Sequence, residues 1–140
     1  MDRWMPFFLL LTFANWQTAH AQDDSLPDQV KSIYFGGGSY YVAPGQQQEL
    51  YDFLDAIPDI EFCEIEIQSF TDNIGSLRYN QYLSQMRSEM VLQKILERDF
   101  PREQITILDF GELNPLYDNA TLQGRLHNRR VDVIIKRIIQ

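Results

Sequence analysis

With 140 residues and a formal net charge of -8, the chain has room for one domain and one sizeable core, and its acidity argues against a general binder of nucleic acid or anionic membrane. Its single cysteine, Cys63, excludes an internal disulfide, and His127 is the only histidine beyond His20, so cysteine catalysis and a His/Cys metal site are both starved of groups. No cofactor and no metal are expected.

The first residues, MDRWMPFFLLLTFANWQTAHAQ, have a short charged start at Arg3, an apolar run from Phe7 to Trp16, and a small-x-small pattern at Ala19 to Ala21. That combination predicts a secretory signal peptide over residues 1–21, cut before Gln22. The run is shorter than the roughly 20 residues that span a bilayer, which leaves an uncleaved anchor as the weaker alternative. Removing residues 1–21 deletes one acid, Asp2, and one base, Arg3, so the charge of -8 stays with the remainder. An exported chain with no membrane span after cleavage is the expectation. Residues 22–30, polar and with Pro27, read as a flexible lead-in to a domain over residues 31–140.

SIYF, from Ser32 to Phe35, predicts a first strand, stopped by Gly36, Gly37 and Gly38. Leu50, Phe53, Leu54 and Ile57 then recur at helical spacing, with Pro44 suited to a first turn and Pro58 to a stop. EFCEIEIQSF alternates: Cys63, Ile65 and Ile67 share one face, and Glu64, Glu66 and Gln68 the other, which predicts a strand with one wet side. After a turn at Asn73 to Gly75, Ser76 suits an N-cap. Tyr79, Leu83, Met86 and Met90 form an apolar stripe, widened by Val91 and Ile95, along a helix running toward Phe100 and closed by Pro101. QITILDF supplies a third strand from Gln104, and RVDVIIKRII a last one from Arg130 to Ile139; the long link between them has one helical turn around Leu122 to Leu126. This order predicts an α/β (α+β) sandwich, a small mixed sheet with helices packed on one face.

Few constellations carry chemistry. The triple glycine in YFGGGS lacks the spacing and lysine of a phosphate loop, and Asn119 to Thr121 matches a glycosylation sequon of little specificity. The acids offer no pair that stands out as glycosidase partners. Asp72 is placed differently, where a strand ends and a helix is about to begin, among free backbone N–H groups and the positive end of a helix dipole. It either satisfies that turn or receives a cation. Arg87 borders the apolar stripe, as a snorkelling surface arginine or as an anion receptor. It lies 11 positions beyond Ser76, about 16 Å of helix at 1.5 Å per residue, so the two meet only if the loop folds back and the side chain leans toward the helix N-terminus. Held apart in one cleft, they complement a zwitterionic amino-acid terminus: ammonium on Asp72, carboxylate on Arg87.

TDNIGSLRYNQYLSQMR resembles the central signature of the OmpA-like peptidoglycan-binding domain, T-D-x-x-G-s followed by N-x-x-L-S-x-x-R-A, with Thr71, Asp72, Gly75, Ser76, Asn80, Leu83, Ser84 and Arg87 in register. GELNP, from Gly111, resembles its G-E-x-x-P block, and TLQGRLHNRRVDV, from Thr121, its T-x-x-G-R-x-x-N-R-R-V-E block. The resemblance extends over about residues 31–138 and implies a β-α-β-α-β-β order. It also implies a noncatalytic domain in which Asp72 and Arg87 grip the diaminopimelate of the peptidoglycan stem peptide. By the same resemblance Thr71, Asn73, Gly75 and Asn80 shape the pocket and Arg129 lines it.

There are departures. Ser69 stands where a glycine is common, Ser88 follows the arginine in place of alanine, and Gly36 to Gly38 replace a loop in which relatives carry a cleft-lining acid. The expected function is a periplasmic tether, wall-associated and linked to the outer membrane through an envelope protein partner, with a homodimer left open. The alternative is a structural subunit of an envelope machine that keeps the fold without binding the wall.

Overall fold

The computed structural model describes residues 28–138. The signal peptide expected over residues 1–21 and most of the lead-in lie outside the described residues, as does Ile139. The elements are β1 (Gln29–Tyr34), α1 (Pro44–Asp55), a 3₁₀ turn (Ile60–Phe62), β2 (Cys63–Phe70), α2 (Leu77–Leu96), a second 3₁₀ turn (Arg102–Gln104), β3 (Ile105–Gly111), α3 (Leu122–Asn128) and β4 (Arg130–Arg137). The four strands form one mixed sheet in the order β1-β4-β2-β3. β2 and β3 run parallel, so the chain must cross over between them, and α2 is that crossover. β4 enters last, antiparallel to both of its neighbours.

The alternation in β2 does what its period dictates. Cys63, Ile65 and Ile67 are buried, and Ile65 and Ile67 pair across the sheet with Ile135 and Val133 of β4. Leu50 and Leu54 of α1 and Val91, Leu92 and Ile95 of α2 close over that face in one continuous core. On the opposite face Glu66 meets Lys136 at 2.8 Å, and Ser32 and Arg130 both donate to Asp132.

Several boundaries differ from those the sequence predicts. β1 begins at Gln29, so Gln29 and Val30 belong to the sheet and not to a flexible lead-in; Val30 sits opposite Ile134. Gln104 belongs to the second 3₁₀ turn, and β3 ends one residue later, at Gly111. α2 stops at Leu96, ahead of Pro101. The chain reverses through Asp99, which has φ 59°, and this tucks Phe100 into the core.

The larger correction concerns which side of α2 is buried. Of the predicted stripe, Leu83 is buried, Met86 and Met90 are half-buried, and Tyr79 is 45% exposed. Beside Leu83 the buried face carries Asn80, Ser84, Arg87 and Ser88 before it becomes apolar at Val91 and Ile95, the two positions that widen the predicted stripe. These polar groups are tolerated because they have tertiary partners. Ser69 Oγ donates to the Ser84 carbonyl at 2.6 Å, Ser84 Oγ accepts from the Gly111 amide at 3.1 Å, and Ser88 Oγ donates to Asp109 Oδ1 at 2.6 Å. Ser69 and Ser88, two of the departures from the resembled pattern, thus both act as ties between α2 and the sheet.

Candidate functional site

The site is built around the turn that joins β2 to α2. Asp72 folds back on that turn: its Oδ1 accepts from the Ile74 amide at 3.1 Å, an Asx arrangement. Gly75 follows at φ 103°, a conformation that disfavours any side chain, and a Cβ there would lie 3.1 Å from the Tyr79 ring. Ser76 then caps α2, its hydroxyl accepting from the Tyr79 amide at 3.1 Å. Thr71 anchors the start of the turn, with its amide donating to the Gly111 carbonyl at 2.7 Å and its hydroxyl to the Asp72 carbonyl at 2.9 Å.

Arg87 arrives from α2, which runs back along the sheet, and it is not a snorkelling side chain. It is 1% exposed, and all three of its guanidinium nitrogens donate to backbone carbonyls. Nε reaches Ser39 at 2.8 Å, Nη1 Phe70 at 3.1 Å and Nη2 Gly36 at 3.0 Å. The guanidinium also lies over the Phe35 ring, 5.1 Å from its centroid. Burial pushes its pKa down to about 10, with Asp72 pulling it up and Arg129 pushing it down.

Asp72 is itself 6% exposed, and its ion-pair partner is Arg129, whose Nε donates to Oδ2 at 2.6 Å. Arg129 lies between α3 and β4, where its carbonyl accepts from the Phe35 amide at 2.8 Å. These three charged residues line one cleft of about 210 Å³, closed by Gly37 and Gly38 on one side and by Ile74, Gly75, Tyr79 and Leu83 on the other. Larger hollows exist, but the chemistry is elsewhere. One of about 470 Å³ contains Arg130 and Asp132, which are spent on each other at 3.0 Å. Another of about 390 Å³ is lined by Tyr34, Phe35, Leu126 and His127, with no carboxylate or guanidinium.

Of the residues that the sequence brings forward, Asp72, Gly75, Arg87 and Arg129 converge on the cleft. Thr71 and Asn80 are buried behind it, while Asn73 points to solvent and is not part of its wall. Asn80 Nδ2 donates to Glu112 Oε2 at 2.6 Å, so the glutamate of the GELNP block braces the turn from the rear. Asn80 Oδ1 has no partner among the described residues and lies 3.6 Å from where a Gly75 Cβ would stand. Sequence reasoning missed Tyr79 and Leu83 as cleft residues and Glu112 as a brace. The i, i+4, i+8 spacing of Tyr79, Leu83 and Arg87 was the available signal, since it sets all three on one line along the helix. Among the described residues no cluster of His, Cys, Asp and Glu could hold a metal ion, and no helix is long and apolar enough to cross a membrane.

Comparison with known proteins gives this geometry its relatives. The outer-membrane lipoprotein YfiB of Pseudomonas aeruginosa is 31% identical over 103 residues, 74% of this chain and 61% of that protein. The peptidoglycan-binding protein ArfA of Mycobacterium bovis is 30% identical over 103 residues, 74% of this chain and 32% of that protein. The chain thus spans less than two thirds of the length of these curated relatives. Among solved structures, the cell wall anchor of the type VI secretion system (T6SS) from Pseudomonas aeruginosa superposes with a TM-score of 0.67 at 26% identity, covering 79% of this chain and 82% of that one. The model of the OmpA family matches residues 34–129, from the last residue of β1 to the cleft arginine before β4. The chain belongs to the OmpA family.

Proposed function

We propose that the chain binds peptidoglycan without catalysing a reaction on it, gripping the diaminopimelate residue of the stem peptide. The carrying observation is a single small cleft in which one carboxylate, Asp72, stands with two guanidinium groups, Arg87 and Arg129. The side-chain end of diaminopimelate carries an ammonium and a carboxylate on one carbon, and such a zwitterion needs an acid and a base held apart in one place. Asp72 takes the ammonium and the guanidinium side takes the carboxylate. The names of the relatives, a peptidoglycan-binding protein and a cell wall anchor, support the coarser part of this reading, association with the wall. The domain then serves as a wall tether, exported to the periplasm, whose second end is an envelope protein or a second copy of the chain.

A structural interaction module is the second reading. It is favoured by the commitment of Arg87 to three backbone carbonyls, which would persist without any ligand. Co-sedimentation with purified wall sacculi separates the two. Calorimetric titration then tests the chemistry, comparing a diaminopimelate-containing stem peptide with the same peptide bearing lysine. Binding that requires the diaminopimelate carboxylate and is lost in Asp72→Asn supports the wall-tether reading. A folded protein that ignores both sacculi and peptide at millimolar concentration supports the structural module.

A further inference from the structure

We propose that Arg129 is a second, specificity-determining anion receptor of the cleft, and that the preferred ligand therefore carries two carboxylates to one ammonium: a stem peptide that ends at its diamino dicarboxylic residue, with the terminal carboxylate free. The proposal rests on the wall-binding reading and refines it.

Donor capacity is the first argument. Arg87 already gives three of its five N–H groups to carbonyls, one from each nitrogen, and the residue is 1% exposed. Arg129 spends only Nε, on Asp72; among the described residues Nη1 and Nη2 have no hydrogen-bond partner. A guanidinium bound through Nε keeps its opposite edge, with two parallel N–H groups, for a planar anion. A ligand therefore gains an anion receptor at Arg129 without breaking the Arg129–Asp72 pair.

Charge balance is the second. The residues lining the cleft include one acid and two arginines, so the site is one positive charge in excess. A bound zwitterion contributes no net charge and leaves that excess in a largely desolvated place; a second carboxylate cancels it. The sequence accounts for the excess. Gly37 faces this guanidinium without a side chain of its own: a Cβ there would lie 3.6 Å from Arg129 Cζ and Nη1 and 3.8 Å from Nη2. The place an acid would take beside Arg129 is left to the ligand.

The test is calorimetric titration of the purified chain with a tripeptide ending in diaminopimelate, against the same tripeptide with only its terminal carboxyl amidated. The amide is expected to bind about tenfold more weakly to the wild type, the size of one lost charge-assisted contact. That ratio should fall to about one in Arg129→Gln. It should also fall in Gly37→Asp, which keeps Arg129, makes only ordinary contacts at its Cβ, and supplies an internal competitor for the open edge. Unchanged far-ultraviolet circular dichroism and melting verify that the variants fold. Equal binding of both peptides to the wild type, or a ratio that survives in both variants, overturns this assignment and leaves the wall-binding reading intact. Failure of the wild type to bind either peptide overturns both.

Discussion

Arg87 Nη1 donates to the carbonyl of Phe70 at 3.1 Å, tying the interior of α2 to the last residue of β2, two positions before Asp72. The same guanidinium holds Ser39 and Gly36, so one side chain locks both loops that flank the cleft. Removing it leaves the buried Phe70 carbonyl and the part-buried carbonyls of Ser39 and Gly36 without their donor. Arg87→Ala should therefore cost about 3 kcal/mol of stability, measured by urea unfolding, in addition to any effect on binding. Arg87→Lys, which keeps the charge but not the three-pronged geometry, should fall between the two. A fully stable Arg87→Ala protein would show that the loops hold their places without it.

Gly124 occupies the first turn of α3, where Thr121 Oγ1 accepts its amide at 2.9 Å. A Cβ there would stand 1.9 Å from the Asp118 carbonyl oxygen and 2.8 Å from Thr121 Oγ1, and the nearer obstacle is backbone. Gly124→Ala is thus expected to lose about 2 kcal/mol or more by displacing the link that leads to Arg129. Thermal melting checks this. A variant that melts with the wild type would mean that the link shifts at no cost.

Ile67 is wholly buried in β2 and packs within the continuous core. Truncation to alanine removes apolar contacts and leaves a cavity between sheet and helices, so Ile67→Ala should cost about 2–5 kcal/mol in urea unfolding. Leu126→Ala, on the exposed side of α3, should change stability by less than about 0.5 kcal/mol.

Glu66 on the outer face of the sheet is held below the ordinary glutamate range, first by the hydrogen bond from Lys136 and then by that from Gln68. The unfolded chain, with an ordinary pKa near about 4.3, takes up the proton first as pH falls. The contribution of Glu66 is therefore fully present above that value and is lost as pH drops through the folded pKa. Glu66→Gln should be less stable than the wild type at pH 7, by under about 1 kcal/mol for so exposed a pair, and the gap should close below about pH 4. Unfolding midpoints at several pH values would reveal it; a gap independent of pH would mean that packing, not charge, sets the difference.

Much of this protein was legible in its sequence, because the signals concerned are local. Period-two alternation placed Cys63, Ile65 and Ile67 on the core face of β2, since a pleated strand turns every second side chain the same way. Ser76 marked the start of α2 because a hydroxyl at that position meets a free backbone amide. Asp72, Gly75, Arg87 and Arg129 were named from residue type, position and resemblance, and they share one cleft. The strand order and the burial of α2 were different matters. Hydropathy assigns the buried face of that helix to Tyr79, Leu83, Met86, Met90, Val91 and Ile95; Leu83, Val91 and Ile95 are buried, but Tyr79 is exposed and the chain also buries Asn80, Ser84, Arg87 and Ser88. Their cost is met by Glu112, Gly111, Asp109 and three distant carbonyls, none of which a helical pattern can see.

The sequence by itself thus determined the elements, the core strands and the identities of the charged residues, through periodicity, capping and turn chemistry that act within a few residues of one another. Only the tertiary structure decided what those charges do. It brought Arg129 to within 2.6 Å of Asp72 across 57 positions of chain, and it committed Arg87 to the loops while leaving the outer edge of Arg129 without a partner among the described residues. Which guanidinium is free to meet a ligand depends on which carbonyls the fold has already placed around each, and that is fixed by the packing of β1, β2, α2 and β4 together.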